Sequence, residues 1–169
     1  MFHRLMMGAV SAAALTLSAA AFAREDQFGT AQEARAMLDK VVAAVKADKT
    51  KALDMFNKGE GGFLDRDLYP FCFNISDAKI VAVGNPNASQ YLGGSVALNP
   101  ILGEDGKTLR DAEGKKYGLE MYTAAQKPEG EITEVSYLFP RPGADTTPVE
   151  KVSFVTKVGD LGCGVGYYK

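Results

Sequence analysis

The last quarter of the chain alternates apolar and polar residues with the two-residue period of β-strands. Three such runs follow one another: Thr133 to Phe139, Val149 to Val158 and Leu161 to Tyr168. The first two are joined through Pro140-Arg141-Pro142-Gly143, and the last two through Gly159-Asp160. Alternation puts Val135, Tyr137 and Phe139 on one face of the first strand. On the second it separates Val149, Lys151, Ser153 and Val155 from Val152, Phe154 and Thr156. Neither face of that strand is purely polar, which predicts a sheet covered on both sides. Such a sheet can hold a cavity under one of its coverings.

The first half carries the helical period instead. Thr30-Ala31-Gln32-Glu33 reads as a capping box, followed by Ala34, Met37, Leu38, Val41, Val42 and Val45 at helical spacing to about Ala47. Asp48 or Thr50 opens a second helical run with Ala52, Leu53 and Phe56, closed by Asn57-Lys58-Gly59. A strand is expected over Leu68 to Ile75, with Pro70 at its beginning or at a bulge because proline donates no ladder hydrogen bond. Ser76-Asp77 turns the chain, and Lys79 to Val83 completes a hairpin. Gly84 to Gly114 is rich in Gly, Asn, Pro and Asp and predicts loops and short helical turns over one sheet face. Tyr117 to Lys127 predicts a last helix, ended by Pro128 and Gly130. Antiparallel strands with segregated helices define an α+β domain.

The beginning of the sequence has another character. His3 and Arg4 precede an apolar run from Leu5 to about Ala20, and Ala21-Phe22-Ala23 matches an A-x-A cleavage pattern. Residues 1–23 are therefore expected to be a secretory signal peptide, leaving one domain over 24–169 with no membrane span in the mature chain. The expected location is periplasmic or secreted. Removing Arg4 with the leader leaves 18 basic against 21 acidic residues, a net charge of −3. No basic stripe survives, so nucleic acid is not an expected partner. The one histidine, His3, leaves as well. Without it there is no Ser-His triad, no His-bound zinc and no imidazole acid–base group. Asp105, Asp111 and Glu113 lack the spacing of a calcium loop and read as turn-forming carboxylates. No catalytic residue, metal or cofactor is expected.

Two cysteines remain, Cys72 and Cys163. In an oxidising compartment an even pair points to a disulfide, which requires the first strand to lie beside the last. The alternative is two small buried hydrophobes that never meet. The apolar stripe of the first helix likewise has two readings: a core face, or the seam of a homodimer through the N-terminal helix.

Four stretches carry a family resemblance. They are Phe63-Leu64-Asp65-Arg66-Asp67-Leu68-Tyr69 with Phe71-Cys72-Phe73; Tyr137-Leu138-Phe139-Pro140-Arg141-Pro142; Lys151-Val152-Ser153-Phe154-Val155; and Gly162-Cys163-Gly164-Val165-Gly166-Tyr167-Tyr168-Lys169. Together they resemble the single Cache domain, the PAS-like extracytoplasmic sensor module, over essentially the whole mature chain. The resemblance implies a five-stranded antiparallel sheet with a long N-terminal helix and a helical crossover between strands 2 and 3. Its first strand lies beside its fifth, which would bring Cys72 and Cys163 together. It also implies a pocket for small organic molecules, such as short carboxylates, between sheet and crossover. Pro70 stands where relatives usually have an aliphatic residue, and Phe139 where many have tryptophan. Most Cache domains sit between two membrane helices ahead of a signalling output. This sequence resembles the free-standing secreted form, which needs a separately encoded membrane receptor or histidine kinase as its partner.

Within that frame Tyr137, Phe139, Lys151 and Ser153 are candidates for one pocket wall: two aromatics, a hydroxyl and an ammonium suited to a small anion. Arg141, just past the strand end, offers a guanidinium fork. Tyr69, Tyr91 and Tyr117 are candidates for the opposite wall. The plainer reading of each is a solvated cation or a half-buried tyrosine. Arg66 is expected to pair with a neighbouring carboxylate and fix the chain ahead of the first strand. The leading function is a non-enzymatic binding or sensor module for a small, anionic organic molecule. An interaction module with a vestigial pocket is the second. An enzyme ranks third, since no carboxylate is spaced to serve a nucleophile or metal.

Overall fold

The computed structural model describes residues 27–97, 109–143 and 145–169. The expected signal segment, 1–23, and Asp105 lie outside them. Helix α1 spans Ala31–Ala47 and α2 spans Lys49–Lys58. Five strands follow: β1 Pro70–Asn74, β2 Ile80–Val83, β3 Ile132–Pro140, β4 Pro148–Val158 and β5 Leu161–Tyr168. Between β2 and β3 come a 3₁₀ helix, Pro86–Tyr91, and α3, Tyr117–Ala124. The sheet is antiparallel throughout, in the order β2-β1-β5-β4-β3.

The two N-terminal helices start where their side chains allow. Thr30 accepts a hydrogen bond from the Glu33 amide at 3.2 Å, and the Glu33 carboxylate accepts one from the Thr30 amide at 2.8 Å. Asp48 ends α1 in extended geometry and caps α2 by accepting from the Lys51 amide at 3.0 Å. Gly59, at φ 66°, closes α2 in the left-handed region. Caps of this kind are worth about 1 kcal/mol each. Burial contributes more, since Met37, Leu38, Val41 and Val45 each add about 1.5–3 kcal/mol when taken from water. All four are buried against the sheet with Ala34. The apolar stripe of α1 is thus core, and the face left to solvent carries Gln32, Arg35, Asp39 and Lys40. Of the stripe, only Val42 is left partly buried.

α1 and α2 cover one sheet face, over Cys72, Phe154, Val158, Leu161, Cys163 and Val165. The 3₁₀ helix, the Val96-Ala97 segment and α3 cover the other, over Phe73, Val135, Tyr137 and Val155. β5 separates these layers at the centre of the sheet, and on the crossover face it carries only glycine until Tyr168. A Cβ on Gly162 would lie 2.4 Å from the Phe73 ring, and one on Gly164 would lie 2.5 Å from the Phe71 ring. One on Gly166 would lie 2.6 Å from Lys151 Cε. The bare strand lets large side chains of β1 and β4 lie flat across it.

Cys72 and Cys163 face one another in the β1–β5 register and form a disulfide across a sequence separation of 91 residues. The expected bond and strand adjacency are both present. β1 begins at Pro70, two residues later than expected, because the amide and carbonyl of Leu68 are both engaged by Asp65. α3 stops at Ala124, short of the expected Lys127. There the hydrogen bonds tighten to Gln126→Thr123 and Lys127→Ala124. The β3 edge is occupied by a loop: Asp111 accepts from the Leu138 amide at 3.1 Å, and Lys115 donates to the Ser136 carbonyl. Asp111 also accepts from the amides of Glu113 and Lys115, a turn-forming role.

Arg66 stitches the approach to β1 onto the start of α1. It donates to Glu33 at 2.6 Å, to Asp65 at 2.9 Å and to the Phe28 carbonyl at 3.1 Å. These bonds, Arg66 first and the Thr30 amide next, lower the Glu33 pKa to about 2.

Two expectations follow. Reducing the disulfide, or replacing both cysteines by alanine, lowers unfolding free energy by about 2–4 kcal/mol, read from urea melts with and without reductant. The Glu33 contribution is fully present above its unfolded pKa of 4.5 and is lost as pH falls through about 2. Glu33→Gln therefore costs at most about 1 kcal/mol at neutral pH, because the pair is largely exposed. That difference from the parent shrinks towards zero in melts taken below pH 3, on the order of the shifted pKa.

Candidate functional site

A cavity of about 60 Å³ lies between the sheet and the crossover. The sheet contributes Phe71, Tyr137, Phe139 and Lys151 to its lining. Tyr91, Val96 and Leu109 come from the crossover, and Tyr117 and Met121 from α3. Tyr69, from the approach to β1, closes one end. The β3–β4 register places Tyr137 opposite Lys151, Val135 opposite Ser153 and Phe139 opposite Val149, so these side chains share one face.

α3 packs closely on the Val96 segment because Gly118 has no side chain: a Cβ there would lie 1.8 Å from the Val96 carbonyl oxygen. This lets Tyr117 stack on Tyr137 with centroids 4.2 Å apart and planes 9° from parallel. The Tyr137 hydroxyl in turn shares a buried hydrogen bond of 2.9 Å with Ser153 Oγ. Burial raises the pKa values of Tyr117, Tyr137 and Tyr168 well above the ordinary phenol. The tyrosines therefore present neutral hydroxyls.

Lys151 is the one charged residue of the lining among the described residues. It is 2 % exposed. Among the described residues its ammonium makes a single hydrogen bond, to the Tyr69 hydroxyl at 3.0 Å. Around it stand the rings of Tyr69 at 4.4 Å, Tyr168 at 4.7 Å and Phe139 at 5.3 Å. No carboxylate among the described residues lies within 4 Å of it. An ammonium has three N–H donors, so the cage leaves donor capacity unused. Desolvating a charge without a counter-ion costs several kcal/mol. Each cation–π contact returns only about 1–2 kcal/mol. Three such contacts and the Tyr69 bond offset much of that cost, and the donor capacity left over makes this a place where an anion gains.

Six of the eight candidate residues, Tyr69, Tyr91, Tyr117, Tyr137, Phe139 and Lys151, come together around this cavity. Ser153 sits behind the wall and orients Tyr137. Arg141 lies elsewhere. It emerges beyond the Pro140–Pro148 pair, at the strand end. It packs over Phe28 at 4.1 Å, donates to the Lys169 carbonyl at 3.2 Å and faces the buried Asp67 carboxylate at 3.7 Å. A larger hollow of about 810 Å³ opens there, between residues 27–31 and the end of β5. Phe71, Val96, Leu109, Met121 and Tyr168 were not among the expected site residues. The alternate glycines of β5 were the available signal, since glycine in a strand marks a close approach. Among the described residues no group of three or more His, Cys, Asp or Glu is arranged to hold a metal ion.

No family model matches the chain, and no curated protein matches it. Two solved structures share its fold. One is the periplasmic sensor domain of a chemotaxis protein, with a TM-score of 0.54 and 22 % identity. The alignment covers 92 % of this chain and 99 % of that one. The other is a Cache chemosensory domain described for its recognition of carboxylic acids, with a TM-score of 0.54 and 20 % identity. That alignment covers 90 % of this chain and 98 % of the other. The chain therefore shares the fold of these two domains. No helix among the described residues is long and apolar enough to cross a membrane.

An uncompensated ammonium predicts an inverted mutational response. Lys151→Met, similar in volume but uncharged, should leave the empty protein at least as stable as the parent. A gain of about 1–4 kcal/mol in urea melts is the range for replacing buried charge by apolar packing. A clear loss of stability would show that the aromatic cage alone satisfies the ammonium.

Proposed function

We propose that this protein is a non-catalytic, extracytoplasmic binding module for a small carboxylate, with Lys151 as the anion's partner. The observation that carries the reading is the buried Lys151 ammonium, which lines a cavity and lacks a counter-ion among the described residues. The cavity's size sets the scale of the guest. At about 10–15 Å³ per water-sized centre it holds roughly four to six heavy atoms, the size of acetate, propionate or lactate. The walls are apolar apart from tyrosine hydroxyls, which suits a short hydrocarbon tail. The carboxylic acid recognition described for one structural neighbour supports the same chemistry. The Cys72–Cys163 bond supports an oxidising compartment, as do the leader-like first residues and the periplasmic setting of the other neighbour. In this reading the occupied module reports to a separately encoded membrane receptor or histidine kinase.

A thermal-shift screen of acetate, propionate, lactate, pyruvate and succinate tests it. A carboxylate present at 100 times its Kd should stabilise the protein by about 2.7 kcal/mol, and Lys151→Met should abolish the shift. Should every acid leave the melting temperature unchanged, the interaction-module reading takes its place.

A further inference from the structure

Two cations approach one aromatic ring at the end of β5. Lys151 Nζ lies 4.7 Å from the Tyr168 centroid, and the Arg141 guanidinium carbon lies 4.8 Å from the same centroid. Arg141 also lies 4.1 Å over Phe28, just ahead of α1. A contiguous row therefore runs Lys151, Tyr168, Arg141, Phe28, from the cavity to the residues that lead into the first helix.

Beside that row stands an ion pair held short of contact. Arg141 Nη1 and Asp67 Oδ2 are 3.7 Å apart, both atoms are buried, and neither has a hydrogen-bond partner among the described residues. The other oxygen of Asp67 accepts from the Gly29 amide at 2.6 Å. Asp67 itself is 4 % exposed. Each group keeps one hydrogen bond, Arg141 to the Lys169 carbonyl and Asp67 from Gly29, but a buried polar atom left unpaired on each side is costly. A shift on the order of one ångström would bring the pair into ordinary hydrogen-bond range. A packed element with two close arrangements is what coupling between distant sites requires. Tyr69 adds a second tie, since it accepts the Lys151 hydrogen bond two residues after Asp67.

We propose that the Asp67–Arg141 pair is a switch that reports the charge state of the cavity to the start of α1. An anion seated at Lys151 closes it, and closure tightens the hold on Phe28 and Gly29. The proposal deepens the carboxylate reading and rests on Lys151 being the anion's partner. The physical cause is competition for one ring. Lys151 and Arg141 repel each other and share the negative face potential of Tyr168. A carboxylate beside Lys151 cancels its field, so Arg141 is drawn more firmly against Tyr168 and towards Asp67. Coupling is reciprocal, so whatever the anion adds to the clamp, the clamp adds to the anion's affinity.

Hydrogen exchange at the Gly29 amide reads the switch directly, because that amide is bonded to Asp67. Acetate and propionate should slow this exchange by at least about fivefold, the lower end of typical couplings. Arg141→Gln should remove the slowing and weaken carboxylate binding by the same factor. Lys151→Met with no acid present should by itself show the slowed exchange, because it removes the repelling charge. This last measurement needs no ligand and does not depend on how Arg141→Gln folds. Carboxylate binding with unchanged Gly29 exchange in both the parent and Lys151→Met would overturn the switch while leaving the binding reading intact. Slowed exchange in Lys151→Met without any carboxylate binding to the parent would sustain the switch and overturn the binding reading.

Discussion

The central strand of this sheet has almost no side chains on one of its faces, and the rest of the crossover layer depends on that. Gly162, Gly164 and Gly166 alternate along β5, and the space they leave is taken by Phe73, Phe71 and Lys151 from the neighbouring strands. A side chain at any of the three would collide within about 2.6 Å of these groups. The strand loses packing of its own and some backbone order by being so rich in glycine. The disulfide to β1 and the central position between β1 and β4 offset that loss. The opposite face of β5 carries Leu161, Cys163 and Val165, all fully buried under α1. One strand thus builds a dense core on one side and a recess on the other.

Into that recess the fold puts a positive charge, and it surrounds the charge with rings instead of carboxylates. Acidic residues are abundant in the chain, 21 in all. Several near the sheet are engaged with other partners: Glu33 and Asp65 with Arg66, Asp111 with backbone amides, Asp67 with Gly29. The arrangement sacrifices stability at one point and concentrates electrostatic demand there. Buried tyrosines kept neutral by desolvation supply hydroxyls without adding charge.

Much of this was legible from residue order. The period-two runs placed Tyr137, Phe139, Lys151 and Ser153 on one face, and the register agrees. The capping box fixed the start of α1 to the residue. Pro70 opens a strand, where a missing donor is tolerated. What escaped were contacts between residues far apart in sequence. Arg141 looks from its neighbourhood like a free guanidinium at a strand end. Its pairing with Asp67, and its packing on Phe28, appear only once the N-terminal segment is folded back beside β5. Tyr168 was missed for the same reason, since its partners Lys151 and Pro140 come from strands earlier in the chain. Periodicity reports which face a side chain occupies, and it is silent on which distant groups share that face.

The loop that grips β3 carries a consequence for assembly. An outermost strand normally offers unpaired amides and carbonyls on which another polypeptide can extend the sheet. Here the Asp111 carboxylate takes the Leu138 amide and the Lys115 ammonium takes the Ser136 carbonyl, while Glu134 adds a charge further along. At the opposite margin, the segment around Gly93-Gly94 hydrogen-bonds to Ile80. Recruitment of a further strand is thus discouraged on both flanks. A companion that added a strand would have to displace these contacts.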